Sequence, residues 1–284
     1  MERNSRIFAL MTPPVVFLAV LFVLPLAIMA LFTFRGGSFG LDTSQPWTLE
    51  HYQKFIANTT FLRVFWRSIV LSFEVSTLCI LLAYPIAYYL SFHAGPKRIT
   101  LLTMILVPAW ISYLLRVLSW KIILGGTGFA ASFLMWLGLV EKGVPILIYS
   151  PAATVITLVY VWVPFIALPI FAAIERIDPS LLEASADLGG NQSATFLRVT
   201  LPLSLPGIIA GFLFVFIPTV GEYVTPMLVG GPKGVMFGNM IWGQFMRALN
   251  WPMGSLMSLV MFVAVLLPII IVARFVRLSD LAGV

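Results

Sequence analysis

The sequence predicts an all-α polytopic membrane protein with six transmembrane helices in a single domain, 1–284. Composition leads to this fold class. Hydrophobic residues make up 60% of the chain and charged residues only 10%, and the mean hydropathy is +1.02. Soluble domains carry about a quarter charged residues. A chain with this much apolar surface cannot bury all of it in water, so we expect it to fold in a lipid bilayer.

Six segments are long and apolar enough to cross a bilayer. A membrane helix needs about 20 mainly apolar residues, because each adds about 1.5 Å across about 30 Å of hydrocarbon. The predicted spans are 7–34, 65–92, 99–118, 150–174, 203–224 and 255–277. The first is too long for the apolar core of a signal peptide and has no small-residue cleavage site, so we interpret it as an uncleaved span.

Basic residues predict the orientation and the partners of the chain. Six spans place both termini on one side. With both termini in the cytoplasm, the cytoplasmic segments are denser in Lys and Arg than the outer loops, as the positive-inside rule requires. The net charge of +6 comes from basic residues scattered singly, without a patch. Membrane lipid is therefore a predicted partner, and nucleic acid is not.

Two loops on the predicted outer side contain further short elements. Glycines break the apolar stretch in 119–149, which predicts a short interfacial helix rather than a span. The stretch 225–254 predicts a re-entrant or capping loop with a short helix. We detect no internal sequence repeat.

The cytoplasmic loop 175–202 has the sequence signals of two short helices. Asp178, followed by proline, is typical of a helix start. Gly189 suits the backbone at a helix end. Asn191 can cap a second helix, and Pro202 marks the next boundary.

The first of these helices is predicted to carry an acidic stripe, since Glu183 and Asp187 are four residues apart. Two interpretations remain open on these observations. The loop is either a docking element, through which a partner moves the spans, or a solvated connector. At this length it is long for a connector.

The same loop carries a spaced motif: Glu183-Ala184-Ser185, then Gly189 after three residues, then Val199-Thr200-Leu201-Pro202 after nine more. The motif resembles the EAA loop of ABC importer permeases, with Ser185 and Val199 in place of alanine and isoleucine. In that family the loop forms a coupling helix that docks on the ATP-binding subunit. The resemblance implies a type I ABC importer permease-like fold. It also implies an ATPase-coupling role for Glu183, Ala184, Ser185, Asp187, Gly189, Leu201 and Pro202.

The likeness extends over 114–140, 150–178, 187–231 and 238–255, which resemble the spermidine/putrescine importer permeases of the first-subunit type. This resemblance implies import of a polyamine, or a similar small solute, across the bacterial inner membrane. It implies as partners a second homologous permease subunit, a dimer of ATP-binding subunits and a substrate-binding protein. ATP and Mg would be bound by the partner subunits, and no cofactor is expected in this chain.

The sequence contains no motif for catalysis. No G-x-x-x-x-G-K-[ST], G-x-S-x-G or H-E-x-x-H is found, and the two histidines, His51 and His93, lie far apart. A single cysteine, Cys79, makes a cysteine metal site or an internal disulfide impossible. We therefore predict no catalytic residue, no metal site and no enzyme activity. If ATP drives transport, a separate chain hydrolyses it.

Acidic residues in membrane spans are costly and are candidates for function. Glu74 lies inside the second predicted span. The alternative is a structural pair with Arg67 or Arg116, and the sequence leaves this choice open.

Other candidates for the cargo path lie at the third and fifth predicted spans. Glu222 lies at the end of the fifth span beside Tyr223, and Trp110 and Tyr113 lie in the third. Carboxylates and aromatic faces are the groups that attract a flexible polyamine cation. At helical spacing such aromatic residues are also typical of core or lipid contacts.

A different class of function also fits a membrane bundle. An ion- or proton-coupled secondary carrier acts alone, and it often shows internal repeats and acids at the membrane midplane. The absence of a detectable repeat and the presence of a docking loop favour the importer subunit.

Overall fold

The structure is a computed structural model that describes residues 2–37, 47–138 and 147–275. The last two residues of the sixth predicted span and part of the loop 119–149 lie outside these ranges. The α-helices in the described ranges are α1 Glu2–Phe32, α2 Glu50–Ala57, α3 Thr59–Phe92, α4 Arg98–Leu106, α5 Tyr113–Leu124, α6 Phe129–Trp136, α7 Pro151–Ile174, α8 Pro179–Asp187, α9 Gln192–Thr195, α10 Leu201–Val220, α11 Phe237–Met246 and α12 Trp251–Phe275.

Six helical stretches are long and apolar enough to cross a membrane. They are Leu10–Phe32, Thr59–Phe92, Tyr113–Trp136, Pro151–Ile174, Gln192–Val220 and Trp251–Arg274. No β-strand forms in the described ranges; an isolated bridge pairs Arg35 with Trp47. The predicted fold class, an all-α polytopic membrane protein with six spans, is confirmed.

The third predicted span, 99–118, is not one helix, and the prediction of a continuous helix there is wrong. α4 ends at Leu106, a 3₁₀ turn covers Val107–Trp110, and the chain is extended at Ile111 before α5 begins. Pro108 is the physical reason. It has no N–H to donate to the preceding turn, and its ring displaces the carbonyl four residues earlier.

The contact map divides the chain into two compact units, unit 1 (1–63 and 240–263) and unit 2 (64–239 and 264–284). In unit 2, α4 and α5 together run antiparallel to α7. Arg98, the first residue of α4, pairs with Glu175 at the end of α7 at 2.6 Å. Leu124, the last residue of α5, packs with Ala153 near the start of α7. The broken pair therefore spans the same length as α7.

The helix α6 lies at the opposite end of unit 2 from α8. Its Ala130 packs against the cluster of Leu124 and Ala153, where α7 begins. A turn containing Gly125 and Gly128 separates α6 from α5. A short helix thus lies in 119–149, as predicted, but its interfacial position stays a prediction, because α6 belongs to Tyr113–Trp136, one of the six stretches apolar enough to cross a membrane.

In unit 2, two glycines one helical turn apart bring α10 close to α7. A Cβ on Gly207 would lie 2.4 Å from Ala173 Cβ and 2.5 Å from the carbonyl oxygen of Pro169. A Cβ on Gly211 would lie 2.5 Å from Ile166 Cγ1. Small residues let membrane helices approach closely, so these glycines fix the position of α10 on α7.

One face of α3 completes the core of unit 2. Val75, Cys79, Ala83 and Ala87 are fully buried in a cluster with residues of α7. Three buried serines on this helix, Ser68, Ser72 and Ser76, each donate to the carbonyl four residues earlier. The buried hydroxyls therefore have partners in their own helix, which a bilayer requires.

In unit 1, the helix α2 packs on the end of α1. The Thr33 and Tyr52 hydroxyls lie 2.7 Å apart, and His51 Nε2 lies 3.1 Å from the Arg35 carbonyl oxygen. Burial of the imidazole disfavours its charged form and lowers the pKa of His51. These contacts hold α2 on the end of α1.

Candidate functional site

The segment 175–202 contains two helices, α8 and α9, as the sequence predicts. Asp178 caps α8: its Oδ1 accepts a hydrogen bond from the Ser180 N–H at 2.9 Å, and Pro179 occupies the first position. This bond favours the ionised carboxylate and lowers the pKa of Asp178. Asn191 caps α9, since its Oδ1 accepts from the Ala194 N–H at 2.8 Å.

A tight turn at two glycines separates α8 from α9. Gly189 has φ +79°, a conformation that residues with a Cβ rarely adopt. At Gly190, a Cβ would lie 2.7 Å from the carbonyl oxygen of Ser185. Each glycine is therefore required by the local geometry, one by its dihedral angle and one by close approach.

A side-chain hydrogen bond joins the two helices across this turn. Ser185 Oγ lies 2.8 Å from Thr195 Oγ1. In the EAA motif this position is an alanine, and Ser185 is one of the two positions at which this chain differs from the motif. The structure gives the departure a role, because the hydroxyl links α8 to α9.

The helix boundary predicted at Pro202 is wrong. α9 continues through a π-turn at Phe196–Thr200 directly into α10, so Gln192–Val220 forms one helical stretch. The Leu201 N–H donates to the Phe196 carbonyl, five residues earlier. The widened turn precedes a residue with no N–H to donate, and proline is tolerated where the hydrogen-bond register is already shifted.

The surface of α8 is open to contact by another molecule. No residue of α8 is buried, and Glu183 and Asp187 are exposed. Beside these acids lie two exposed leucines, Leu181 and Leu188, the latter 89% exposed. Exposed leucines next to carboxylates on a helix outside the spans are typical of a surface that a partner covers.

An ion pair that was not predicted from the sequence lies immediately before α8. Arg98 Nη1 and Glu175 Oε2 are 2.6 Å apart and join the start of α4 to the end of α7. The signal in the sequence was a basic residue and an acid, each at a span end on the same side. Only the antiparallel packing of α4 with α7 pairs them.

Glu222 lies between α10 and the next helical turn, in a network of hydrogen bonds. Its Oε1 accepts from the backbone N–H groups of Val224 and Thr225, at 2.7 and 3.1 Å. Its Oε2 accepts from the Tyr113 hydroxyl at 2.7 Å. The structure thus brings together Glu222 and Tyr113, and both carboxylate oxygens are engaged.

The other aromatic candidates lie apart from this network. Trp110 is 81% exposed at the 3₁₀ turn after α4. The Tyr223 side chain is 39% exposed, and its carbonyl accepts from Asn239 Nδ2 at 2.6 Å.

Glu74 lies near the middle of α3 and is exposed. Neither predicted structural pair forms. Arg67 donates to the Val235 carbonyl, and Arg116 Nη1 donates to the Val161 carbonyl at 3.2 Å. In the described ranges, Glu74 makes no hydrogen bond and no ion pair, so any partner it has comes from outside this part of the chain.

The described residues contain no cluster of three or more His, Cys, Asp or Glu side chains. The absence of a metal site stays a prediction for the chain as a whole.

Known bacterial permeases are similar to this chain over most of its length. The spermidine/putrescine transport system permease protein PotB of Escherichia coli is 34% identical over 233 residues, covering 82% of this chain and 84% of PotB. PotB of Haemophilus influenzae is 37% identical over 235 residues, covering 83% and 82%. The inner membrane ABC transporter permease protein YdcU of Escherichia coli is 35% identical over 229 residues, covering 76% and 70%. No protein-family model matches the sequence.

Solved structures share the fold. A bacterial ABC transporter for import of the acidic polysaccharide alginate matches with a TM-score of 0.70 at 19% identity, covering 97% of this chain and 98% of that one. The MetNI methionine ABC transporter in an inward-facing conformation matches with a TM-score of 0.56 at 19% identity, covering 76% and 94%. At these identities the likeness establishes the ABC importer permease fold alone.

Proposed function

This chain belongs to the family of spermidine/putrescine transport system permeases, and on that premise we propose that it passes a polyamine into the cytoplasm as a transmembrane subunit of an ATP-driven importer. The identity to PotB over more than four-fifths of the chain is the observation that carries this proposal. No similarity supports the alternative, an ion- or proton-coupled carrier that acts alone.

The proposed importer has four kinds of part. This chain and a second, homologous permease subunit form the passage, and a dimer of ATP-binding subunits holds ATP and Mg. A substrate-binding protein delivers the cargo from outside. The permease fold of the chain and its six spans support this assembly. Both termini and the segment 175–202 lie in the cytoplasm, as the density of basic residues favours.

The helix α8 is the proposed contact with the ATP-binding subunits. Its exposed acids and leucines form the contact surface, and the motif residues at 183–185 and 187 contribute to it. The two caps, the Gly189 turn and the Ser185–Thr195 bond hold α8 against α9. Since α9 continues into α10, a force on α8 reaches the span without an intervening flexible linker.

This rigidity matches the energetic requirement of transport. To swing the spans almost completely between two states, the ATP-binding subunits must bind one state more tightly by about 5.5 kcal/mol. A loosely held loop would absorb such a difference by bending. Leu201 and Pro202 contribute by carrying the helix from the loop into the span.

Gly189→Leu tests the coupling role. A leucine in a left-handed conformation costs about 1–2 kcal/mol, so we expect the turn to rearrange and α8 to lose its position. The chain should still insert in the membrane, while co-purification of the ATP-binding subunit is lost.

Gly138→Leu is the matched control, because Gly138 also has a positive φ of 71° and open space around its Cα. It follows α6, at the end of unit 2 opposite to α8. The coupling role is contradicted if the Gly189 variant binds the ATP-binding subunit normally, or if both variants lose it equally.

A further inference from the structure

Glu74 lies on an exposed stripe along α3. The opposite face of the helix packs in the core of unit 2, with Val75 and Cys79 fully buried. On the exposed side, Val70 and Phe73 are 63% and 58% exposed, and Glu74 follows directly. α3 has 34 residues, Thr59–Phe92, which places this carboxylate about halfway along a span.

A carboxylate at this depth does not face lipid at low cost. Ionisable residues within membrane spans face the interior of a bundle or a water-filled cavity, where they pair with an opposite charge or with polar groups. The two arginines predicted as its partners, Arg67 and Arg116, donate to backbone carbonyls instead. The described part of the chain therefore supplies no partner for Glu74, which leaves the carboxylate open to a cation.

Glu222, the other acid of the predicted cargo path, differs from Glu74 because its carboxylate already has hydrogen-bond partners. Three donors from its own chain occupy its two oxygens. A passing ammonium group would have to compete with these bonds. In the described ranges neither oxygen of Glu74 has a hydrogen bond or an ion pair, so binding of a cation there breaks no described contact of the fold.

The surroundings of Glu74 are suited to the methylene chain of an alkylamine. The ring of the adjacent Phe73 packs edge-on against Phe212 of α10, with centroids 5.5 Å apart. Thr77, one turn further along α3, completes the face. A carboxylate beside aromatic rings attracts an ammonium group electrostatically and offers apolar surface to its methylene chain.

We propose that Glu74 binds an ammonium group of the cargo inside the membrane, and that Glu222 is a structural residue that caps the turn after α10. This assignment rests on the proposed function, because it takes a polyamine as the cargo. Glu74 is then the carboxylate that contacts the cargo during its passage.

The test uses the complete importer, with this chain, its permease partner, the ATP-binding subunits and the binding protein, in proteoliposomes. Uptake of radiolabelled spermidine and putrescine is measured below saturation, together with basal ATPase activity. A charged hydrogen bond is among the stronger ones, so we expect Glu74→Gln to lower uptake by about tenfold or more. The loss should be greater for trivalent spermidine, basal ATPase should be unchanged, and Glu74→Asp should recover part of the uptake.

Glu50→Gln is the matched control, since it makes the same change at an exposed glutamate paired with Lys54 in α2. It should leave uptake unchanged. Glutamine costs less than glutamate in a membrane span, so poorer insertion does not account for a loss in the Glu74 variant.

Three results would overturn the assignment. Unchanged uptake by Glu74→Gln would exclude cargo binding there. A lower yield of assembled complex would show that Glu74 pairs with a basic residue of another subunit. An equal fall in uptake and basal ATPase would indicate a defect in the bundle. A wild-type importer that takes up neither amine is a different result, because it refutes the proposed function itself.

Discussion

The pair α7–α10 and the helix α1 are both apolar enough to cross a membrane, yet they differ completely in burial. In the most apolar stretch of α7, 56% of the residues are buried, whereas none is buried in that of α1. α7 and α10 contact each other through Gly207 and Gly211. The described side chains of α1 include Leu10, Phe17 and Phe22, all more than 60% exposed.

The difference shows which parts of this chain are stabilised by its own contacts. Hydrophobicity decides that a helix enters the bilayer, and it does not decide what the helix packs against. In lipid, close association depends on small residues and on hydrogen bonds between helices. α7 and α10 have such contacts within the chain, whereas no residue in the most apolar stretch of α1 is buried by the described part of it.

The largest expected effect tests the α7–α10 contact. Gly207→Leu places a side chain where a Cβ alone would lie 2.4 Å from Ala173 Cβ and 2.5 Å from a backbone oxygen. Backbone atoms of α7 cannot move aside as a flexible side chain would, so the helices must separate. We expect loss of the monodisperse peak in size-exclusion chromatography of the detergent-solubilised chain.

Gly243→Leu is the control for this variant, because no atom lies within 4 Å of a Cβ at Gly243 in α11. It should elute as the unmodified chain does. A normal size-exclusion profile for both variants would contradict the prediction, since it would mean that α7 and α10 do not need close contact.

A smaller effect is expected at the hydrogen-bonded end of α10. Tyr113→Phe removes the hydroxyl that donates to Glu222 Oε2 and approaches Thr225 Oγ1 at 2.5 Å. A buried hydrogen bond contributes about 0.5–1.5 kcal/mol, and more when one partner is charged. The variant should lower the thermal unfolding midpoint in detergent by a few degrees for each kcal/mol lost. An unchanged midpoint would mean that this network does not hold α5 to α10.

The smallest effect is expected in α1. Leu21 is 56% exposed, so Leu21→Ala should change the free energy of unfolding of the isolated chain by less than about 0.5 kcal/mol. Leu158, fully buried in α7, provides the matched substitution. Leu158→Ala leaves a cavity and should cost about 2–5 kcal/mol. Similar thermal unfolding midpoints for the two variants would mean that α1 and α7 contribute equally to the stability of the isolated chain.

The candidate site was predictable where the signals are local. Asp178, Gly189 and Asn191 act through their own turn of the backbone, so their roles as cap, stop and cap follow from residue type and spacing. Pro202 is the exception in this segment. Its effect depends on the hydrogen-bond register of the preceding turn, which the π-turn shifts and which residue type alone does not specify.

The states of the two acids in the predicted cargo path were not predictable. Glu74 lies inside an apolar span and Glu222 at the end of one, and residue type and position did not show which of the two has partners in the fold. The network around Glu222 depends on Tyr113, more than a hundred residues earlier in the chain. That Glu74 has no partner among the described residues depends on where Arg67 and Arg116 direct their guanidinium groups.

By itself, the sequence determined the membrane class, the number of spans and the two-helix form of the segment 175–202, because these depend on composition and on neighbours within a few residues. The tertiary structure decided that α4 and α5 form a broken pair along α7. It also decided that Arg98 pairs with Glu175, and that Glu222 has partners while Glu74 has none within the described ranges. These outcomes depend on contacts between distant segments, and such contacts exist only once the helices have packed.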